Sequence, residues 1–180
     1  PIQPARPAWE MAEELLELTK PTVLRSEGNG DTLDLECLER LHPGAEPVHL
    51  TVVDASVEGL TSLDQLPPLP ALQCLLLSSN QISSLPQGLG LSICPKLQRL
   101  NLQDNCLGSL QFLGPAAGMA GAPSNTSLQF LNVSMNKLDD LQGLEFCSAL
   151  RSFECSNNCI VGLDPLVHCT ALTRLEAYRN

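Results

Sequence analysis

Apolar residues recur along the chain in a fixed spaced pattern, Leu-x-x-Leu-x-Leu-x-x-Asn-x-Leu, rather than with a simple helical or strand period. Its clearest copy is Leu72, Leu75, Leu77, Asn80, Ile82 and Leu85, followed by Leu97, Leu100, Leu102, Asn105, Leu107 and Leu110. Two more copies run Leu128, Leu131, Val133, Asn136, Leu138, Leu141 and Leu150, Phe153, Cys155, Asn158, Ile160, Leu163. A weaker copy, Leu50, Val53, Ala55, Glu58, Leu60 and Leu63, precedes them, and Leu172, Leu175, Ala177 and Asn180 form a shortened last one. A half-copy is visible at Leu33, Leu38 and Leu41. Successive starts lie 22, 25, 31, 22 and 22 residues apart.

The chemistry of the pattern predicts a stack of coils. In Leu-x-Leu the alternating side chains of a short strand put both leucines on one side and the residue between them on the other. The later leucines turn the chain back beneath the strand and close a coil. Each coil has an apolar top and bottom, so stacking buries both, and a parallel sheet grows along one side. The asparagine at position nine suits an inward amide that pairs turn groups which burial would otherwise leave unsatisfied. Asn80, Asn105, Asn136, Asn158 and Asn180 form the expected ladder, with Glu58 interrupting it in the first coil.

These repeats resemble the leucine-rich-repeat family over about residues 28–180. Their 22-residue step is similar to the class found in the phosphatase-1 regulatory subunit and an axonemal dynein light chain. The resemblance implies an α/β solenoid with a curved parallel sheet on its concave side and short 3-10, helical or irregular segments on its convex side. It also implies a non-enzymatic scaffold or regulatory module, in phosphatase regulation or in cilium and cytoskeleton assembly.

The domain expectation is an N-terminal segment, 1–27, and a solenoid, 28–180, with a half-repeat, five full repeats and one truncated repeat. Within the first segment, residues 8–19 predict a capping helix. Pro7 starts it, Trp9, Ala12, Leu15 and Leu16 share a face, acidic residues favour its first turns and Pro21 stops it. Gly28-Asn29-Gly30 reads as a turn. The stop at Asn180 in mid-repeat reads as the edge of a fragment of a longer protein. Three residues beyond the 22-residue norm, around Gly88–Ser92, predict an extra turn on the convex side. Nine more, in the Pro/Gly-rich stretch 114–127, predict a convex loop.

Composition narrows the function. The chain is 43% hydrophobic but only 3% aromatic, as a leucine-built repeat core requires. Its net charge is −10, and nine of the 20 acidic residues fall in residues 1–40 against four basic ones. No basic patch suited to nucleic acid is visible, so the expected partner is a protein, with no nucleic acid and no membrane span. No nucleophile motif, phosphate loop or dinucleotide fingerprint appears, so no enzyme activity is expected. No cofactor is expected either.

The eight cysteines follow the repeat register rather than any disulfide or zinc spacing. Cys94, Cys147 and Cys169 each stand three residues before a repeat-starting leucine, in the slot that Leu69 fills one coil earlier, which predicts buried thiols. Reduced thiols point to a cytoplasmic location, with a cytoskeletal or ciliary setting implied by the resemblance. The sequons at Asn125 and Asn132 are the one hint of the alternative, a secreted or cell-surface recognition domain. His42, His49 and His168 show no acidic companion in sequence.

The register also gives the outward strand positions. Position three supplies Val52, Cys74, Arg99, Phe130, Ser152 and Arg174. Position five supplies Asp54, Leu76, Asn101, Asn132, Glu154 and Glu176, and position seven Ser56, Ser78, Gln103, Ser134, Ser156 and Tyr178. Folding has no reason to place Leu76, Phe130 or neighbouring Met135 outward, so these are the candidate anchors for a helix or peptide. Arg99, Asn101, Asn132, Glu154, Arg174, Glu176 and Tyr178 are the candidate polar rim.

Overall fold

The structure, a computed structural model, describes residues 32–115 and 127–180. The expected helix at 8–19, the turn at 28–30 and most of the 114–127 insertion lie outside the described residues.

Six three-residue strands follow the repeat: β1 Val52–Asp54, β2 Cys74–Leu76, β3 Arg99–Asn101, β4 Phe130–Asn132, β5 Ser152–Glu154 and β6 Arg174–Glu176. They form one open parallel sheet in chain order. The registers align position three with position three and position five with position five in every pair, from Val52↔Cys74 to Ser152↔Arg174. The return segments hold only short turns: 3-10 at Gln111–Leu113, Leu144–Phe146 and Asp164–His168, and a five-residue π turn at Leu89–Ile93. That π turn absorbs the three extra residues of the 25-residue coil.

The core is the leucine register. Leu72, Leu75, Leu77, Leu97, Leu100, Leu102, Leu128, Leu131 and Leu150 are all buried, and burying each such side chain stabilises the stack by roughly 1.5–3 kcal/mol. Cys94, Cys147 and Cys169 are buried in their shared slot beside the equivalent Leu69. Gly143 is the tightest backbone crossing between coils. Its φ is +113°, and an added Cβ would stand 2.2 Å from the Leu110 carbonyl oxygen.

The N-terminal boundary departs from a half-repeat. Residues Leu35–Leu41 form a short helix, α1, capped by the Asp34 carboxylate, which accepts from the Cys37 N–H at 2.9 Å. Leu33 and Leu38 are buried against the first coil, and Thr32 bridges in parallel to Ser62 on that coil's return side. The spacing of Leu33, Leu38 and Leu41 mimics a repeat, but with Asp34 as N-cap and Glu36 in the first turn it satisfies helix rules better. Arg40 of α1 reaches Glu58 at 2.7 Å, so the residue that breaks the asparagine ladder is paired with the helix that stands where a preceding coil would be.

The ladder itself is complete from Asn80 onward. Asn136 shows its working: its Oδ1 accepts from the Leu107 N–H of the preceding coil at 2.9 Å. Its Nδ2 donates to the carbonyls of Leu102, again in the preceding coil, and of Val133 and Ser134 in its own. Asn80, Asn105 and Asn158 repeat the scheme, and Asn180 donates to Cys155 and Ala177. Outside the amides, a backbone ladder joins the coils: the N–H groups of Gln81, Cys106, Lys137 and Cys159 donate to Leu60, Ile82, Leu107 and Leu138.

Two histidines have acidic neighbours, one close in sequence and one distant. His49 pairs with Glu46 at 3.5 Å across a single turn. His42, at the C-cap of α1, is half-buried, and burial holds its imidazole below the ordinary value although Asp54 pulls the other way.

Asn136→Ala strips four hydrogen bonds from a buried turn and should lower stability by about 2–4 kcal/mol in denaturant melts. A loss below about 0.5 kcal/mol would mean the turn finds other partners.

His42 binds its proton less readily folded than unfolded. Its contribution is therefore present above the unfolded value of 6.5 and lost as pH falls from there towards the folded value. Melting temperature should drop as pH falls below 6.5 and drop less in His42→Leu; equal drops would place the effect elsewhere.

Candidate functional site: the outer face of the sheet

Positions three and five pair in register across β1 to β6 on either side of position four, so by strand alternation they face away from the leucine core. Outward does not mean exposed, however. Cys74, Arg99, Asn132 and Ser156 are buried, and Leu76, Phe130, Asn101 and Glu154 are half-buried. With adjacent strands about 4.8 Å apart, long side chains lie down over their neighbours rather than standing free.

The face divides into three parts. At β1–β2, Val52, Cys74 and Leu76 make an apolar end. In the middle, the Arg99 guanidinium lies over the Phe130 ring, 3.9 Å from its centroid. Phe130 is therefore no bare anchor: one of its faces is taken by a cation–π contact. Towards β6 the face is a polar chain. Asn132 donates to Gln103 Oε1 at 3.3 Å and to Glu154 Oε2 at 2.8 Å. Arg174 clamps Glu176 Oε1 at 2.6 and 3.2 Å and lies 3.8 Å from Glu154. That clamp, on an exposed side chain, raises the Arg174 pKa.

The position-five side chains also shape the chain. Asp54, Asn101 and Asn132 each accept, through Oδ1, from the N–H two residues on, at 2.9–3.1 Å. Asn101 and Asn132 are thus strand-end turns as well as rim residues. Asn132, 6% exposed with both amide ends engaged, offers no access for a glycan at its sequon.

Immediately after these turns comes a row that sequence reading missed. Val57, Ser79, Asp104, Met135, Asn157 and Arg179, all at position eight, have φ between +55° and +62°. The left-handed residue swings the chain so that position nine points inward, while its own N–H still bonds to the next coil, as Met135 does to the Ser156 carbonyl at 2.8 Å. Asp and Asn tolerate this conformation; Val and Met do not. Met135 is nevertheless 46% exposed and Val57 54%. Two exposed apolar side chains thus occupy strained positions where a polar residue would serve the fold better.

A family model described as leucine-rich repeat matches residues 35–140, more than half of the chain. The chain is a leucine-rich-repeat protein. Among curated proteins it is similar to a probable U2 small nuclear ribonucleoprotein A' of Drosophila melanogaster, 39% identical over 75 residues. That match spans 42% of this chain and 28% of the relative's length. Among solved structures it is similar to internalin C2 of Listeria monocytogenes, at 21% identity and a TM-score of 0.30, over 71% of this chain and 73% of that one.

Of the predicted leucine-rich-repeat site residues, Arg99, Phe130, Asn132, Glu154, Arg174 and Glu176 form one continuous belt. Met135 and exposed Tyr178 stand at its lower margin, and Leu76 belongs to the separate β1–β2 patch. Val57, Gln103, Ser152 and Ser156 were not singled out, although their columns in the repeat were already readable. The cysteines divide by register as expected: Cys155 is buried and Cys159 exposed, and none of the eight is in a disulfide. Burial pushes the thiols of Cys94 and Cys147 up to about 12 and that of Cys155 to about 11. Among the described residues no three His, Cys, Asp or Glu side chains are grouped to hold a metal ion, and no helix is long and apolar enough to cross a membrane.

Because Met135 sits in the left-handed region, Met135→Asn should raise stability by about 0.5–1 kcal/mol. A destabilisation of that size would show that its side chain contributes packing that outweighs the backbone strain.

Proposed function

We propose that this leucine-rich-repeat chain is a protein-docking module of an intracellular assembly, taking a helix or extended segment of its partner across the outer face of the sheet. The observation that carries the reading is Met135, exposed and apolar at a strained left-handed position on the margin of a belt containing half-buried Phe130. Docking would bury the exposed apolar surface on a preformed polar frame, the usual composition of an interface centre and rim. Eight thiols outside any disulfide, most of them buried, support a cytoplasmic or nuclear setting over a secreted one.

A second reading is favoured by the Drosophila relative, a probable component of a small nuclear ribonucleoprotein. On this reading the chain is a scaffold of a protein–RNA particle, still gripping protein through the same face. Phosphatase regulation and cilium assembly are the other settings in which such a module would serve, and they rest on the repeat class alone.

Affinity capture from cell extract, followed by quantitative binding with the captured protein, tests the docking face. Leu76→Ala and Met135→Ala should each weaken binding by roughly tenfold or more. Phe130→Ala should do the same and also lower stability by about 1 kcal/mol, since it removes the ring beneath Arg99. Asp139→Ala, on a return segment, should change nothing. The reverse pattern would put the partner on the other side of the solenoid.

A further inference from the structure

The strand β5 is unlike its neighbours on the outer face. Its three outward positions are Ser152, Glu154 and Ser156, two small hydroxyls on either side of one carboxylate. In the sheet Phe130 and Arg174 flank Ser152, and Asn132 and Glu176 flank Glu154; past the strand ends, Ser134 and Tyr178 hold the position that Ser156 holds in its own coil. Two strand spacings separate these flanks, roughly 10 Å, with a strip of β5 side chains between them.

The floor of this strip is chemically incomplete. Ser156 is 1% exposed, and neither its Oγ nor that of Ser152 has a hydrogen-bond partner, although both oxygens are buried. A buried hydroxyl without a partner carries its full desolvation cost. The equivalent hydroxyls of the first two coils do not show this, because Ser78 donates to Ser56 at 3.0 Å. Between the two serines, Glu154 accepts from Asn132 at 2.8 Å and forms an ion pair with Arg174 at 3.8 Å, while two nitrogens of the same guanidinium donate to Glu176 Oε1. The strip therefore presents three acceptor groups in line, and a carboxylate at its centre repels an anion. Its Phe130 wall has one ring face covered by Arg99, which comes from the β3 side.

We propose that the β5 strip seats the cationic side chain of an arginine or lysine from the docked protein, its charge against Glu154, its N–H groups on Ser152 and Ser156, and its stem along Phe130, Met135 and Tyr178. Arginine fits best: its planar guanidinium is donor-only, with five N–H groups in a fixed fork, and stacks on aromatic rings. Asn132 donates to Glu154 and Arg174 pairs with both Glu154 and Glu176, so the two serine hydroxyls are the strip's groups without a hydrogen-bond partner. This proposal rests on the docking reading above and names what the partner must bring.

The probe is N-acetylarginine amide titrated into the whole chain, followed by the backbone amide shifts of residues 130–135 and 152–156. N-acetylcitrulline amide, its neutral isostere, is the control. Saturable shifts confined to these residues are expected with the arginine compound, with at least fivefold weaker binding of citrulline. Glu154→Gln should weaken arginine binding by about tenfold, the effect of losing one charge-assisted hydrogen bond. Ser152→Ala, which removes the acceptor without adding bulk, should weaken it by about threefold with a melting temperature no lower than that of the unsubstituted chain. Equal binding of the two compounds, shifts clustered at Asp139 and Asp140, or no localised shifts would overturn the proposal. So would protein-partner binding that Leu76→Ala destroys and Glu154→Gln and Ser152→Ala leave intact. That last pattern would keep the docking face and remove the cation from it.

Discussion

The structure depends on one arrangement: a buried asparagine amide that belongs to two coils at once. Its oxygen accepts from the preceding coil, and its nitrogen donates both to that coil and to its own, as at Asn105 and Asn136. Only a short side chain with both donors and an acceptor can do this. Aspartate lacks the donors and glutamine overshoots the turn. Packed leucines hold the coils together, but leucine contacts tolerate sliding, whereas hydrogen bonds to named carbonyls fix the register. The same register then dictates which side chains meet on the outer face.

The ladder has a geometric condition, met at position eight in all six coils by a left-handed residue. Without it the asparagine would point outward and four turn groups per coil would be buried unpaired. At the first coil the ladder ends because position nine is Glu58, and α1 supplies a charged partner, Arg40, in place of an amide. Where the solenoid ceases to be periodic, its interactions change from shared amides to an ordinary half-exposed ion pair. Such a pair is worth at most about 1 kcal/mol, so the N-terminal boundary is held by Leu33 and Leu38 rather than by the salt bridge.

Much of this was legible in the repeat. The strand registers, the buried cysteine slot, the asparagine ladder and the extra turn near Gly88 all follow from spacing, because a periodic fold copies one local solution. What sequence did not disclose is what depends on neighbours. Leu33, Leu38 and Leu41 look like a repeat because helical spacing and repeat spacing overlap over nine residues. Arg99 is a surface residue by register, yet it is buried because Phe130 stands on the next strand. The two orphaned hydroxyls could be suspected from a serine strand between bulky ones, but only coordinates show that neither finds a partner.

Charge illustrates how far a whole-chain property can mislead about a site. The chain carries −10, which on its own suggests a strongly basic partner drawn to an acidic surface. On the outer face, positions three, five, seven and eight hold four acids, Asp54, Asp104, Glu154 and Glu176, and three bases, Arg99, Arg174 and Arg179, a balance of −1. Among the described residues, the excess negative charge therefore lies at α1 and on the return segments, away from the face. At physiological salt, fields fade over about 8 Å, so those distant acids add little at the contact itself. Selection of a partner then falls to short-range matching: which apolar groups cover Met135 and Leu76, and which polar atoms complete the face. A nearly neutral face built of committed ion pairs is demanding in this respect, because a partner gains little from approach alone and must fit side chain by side chain.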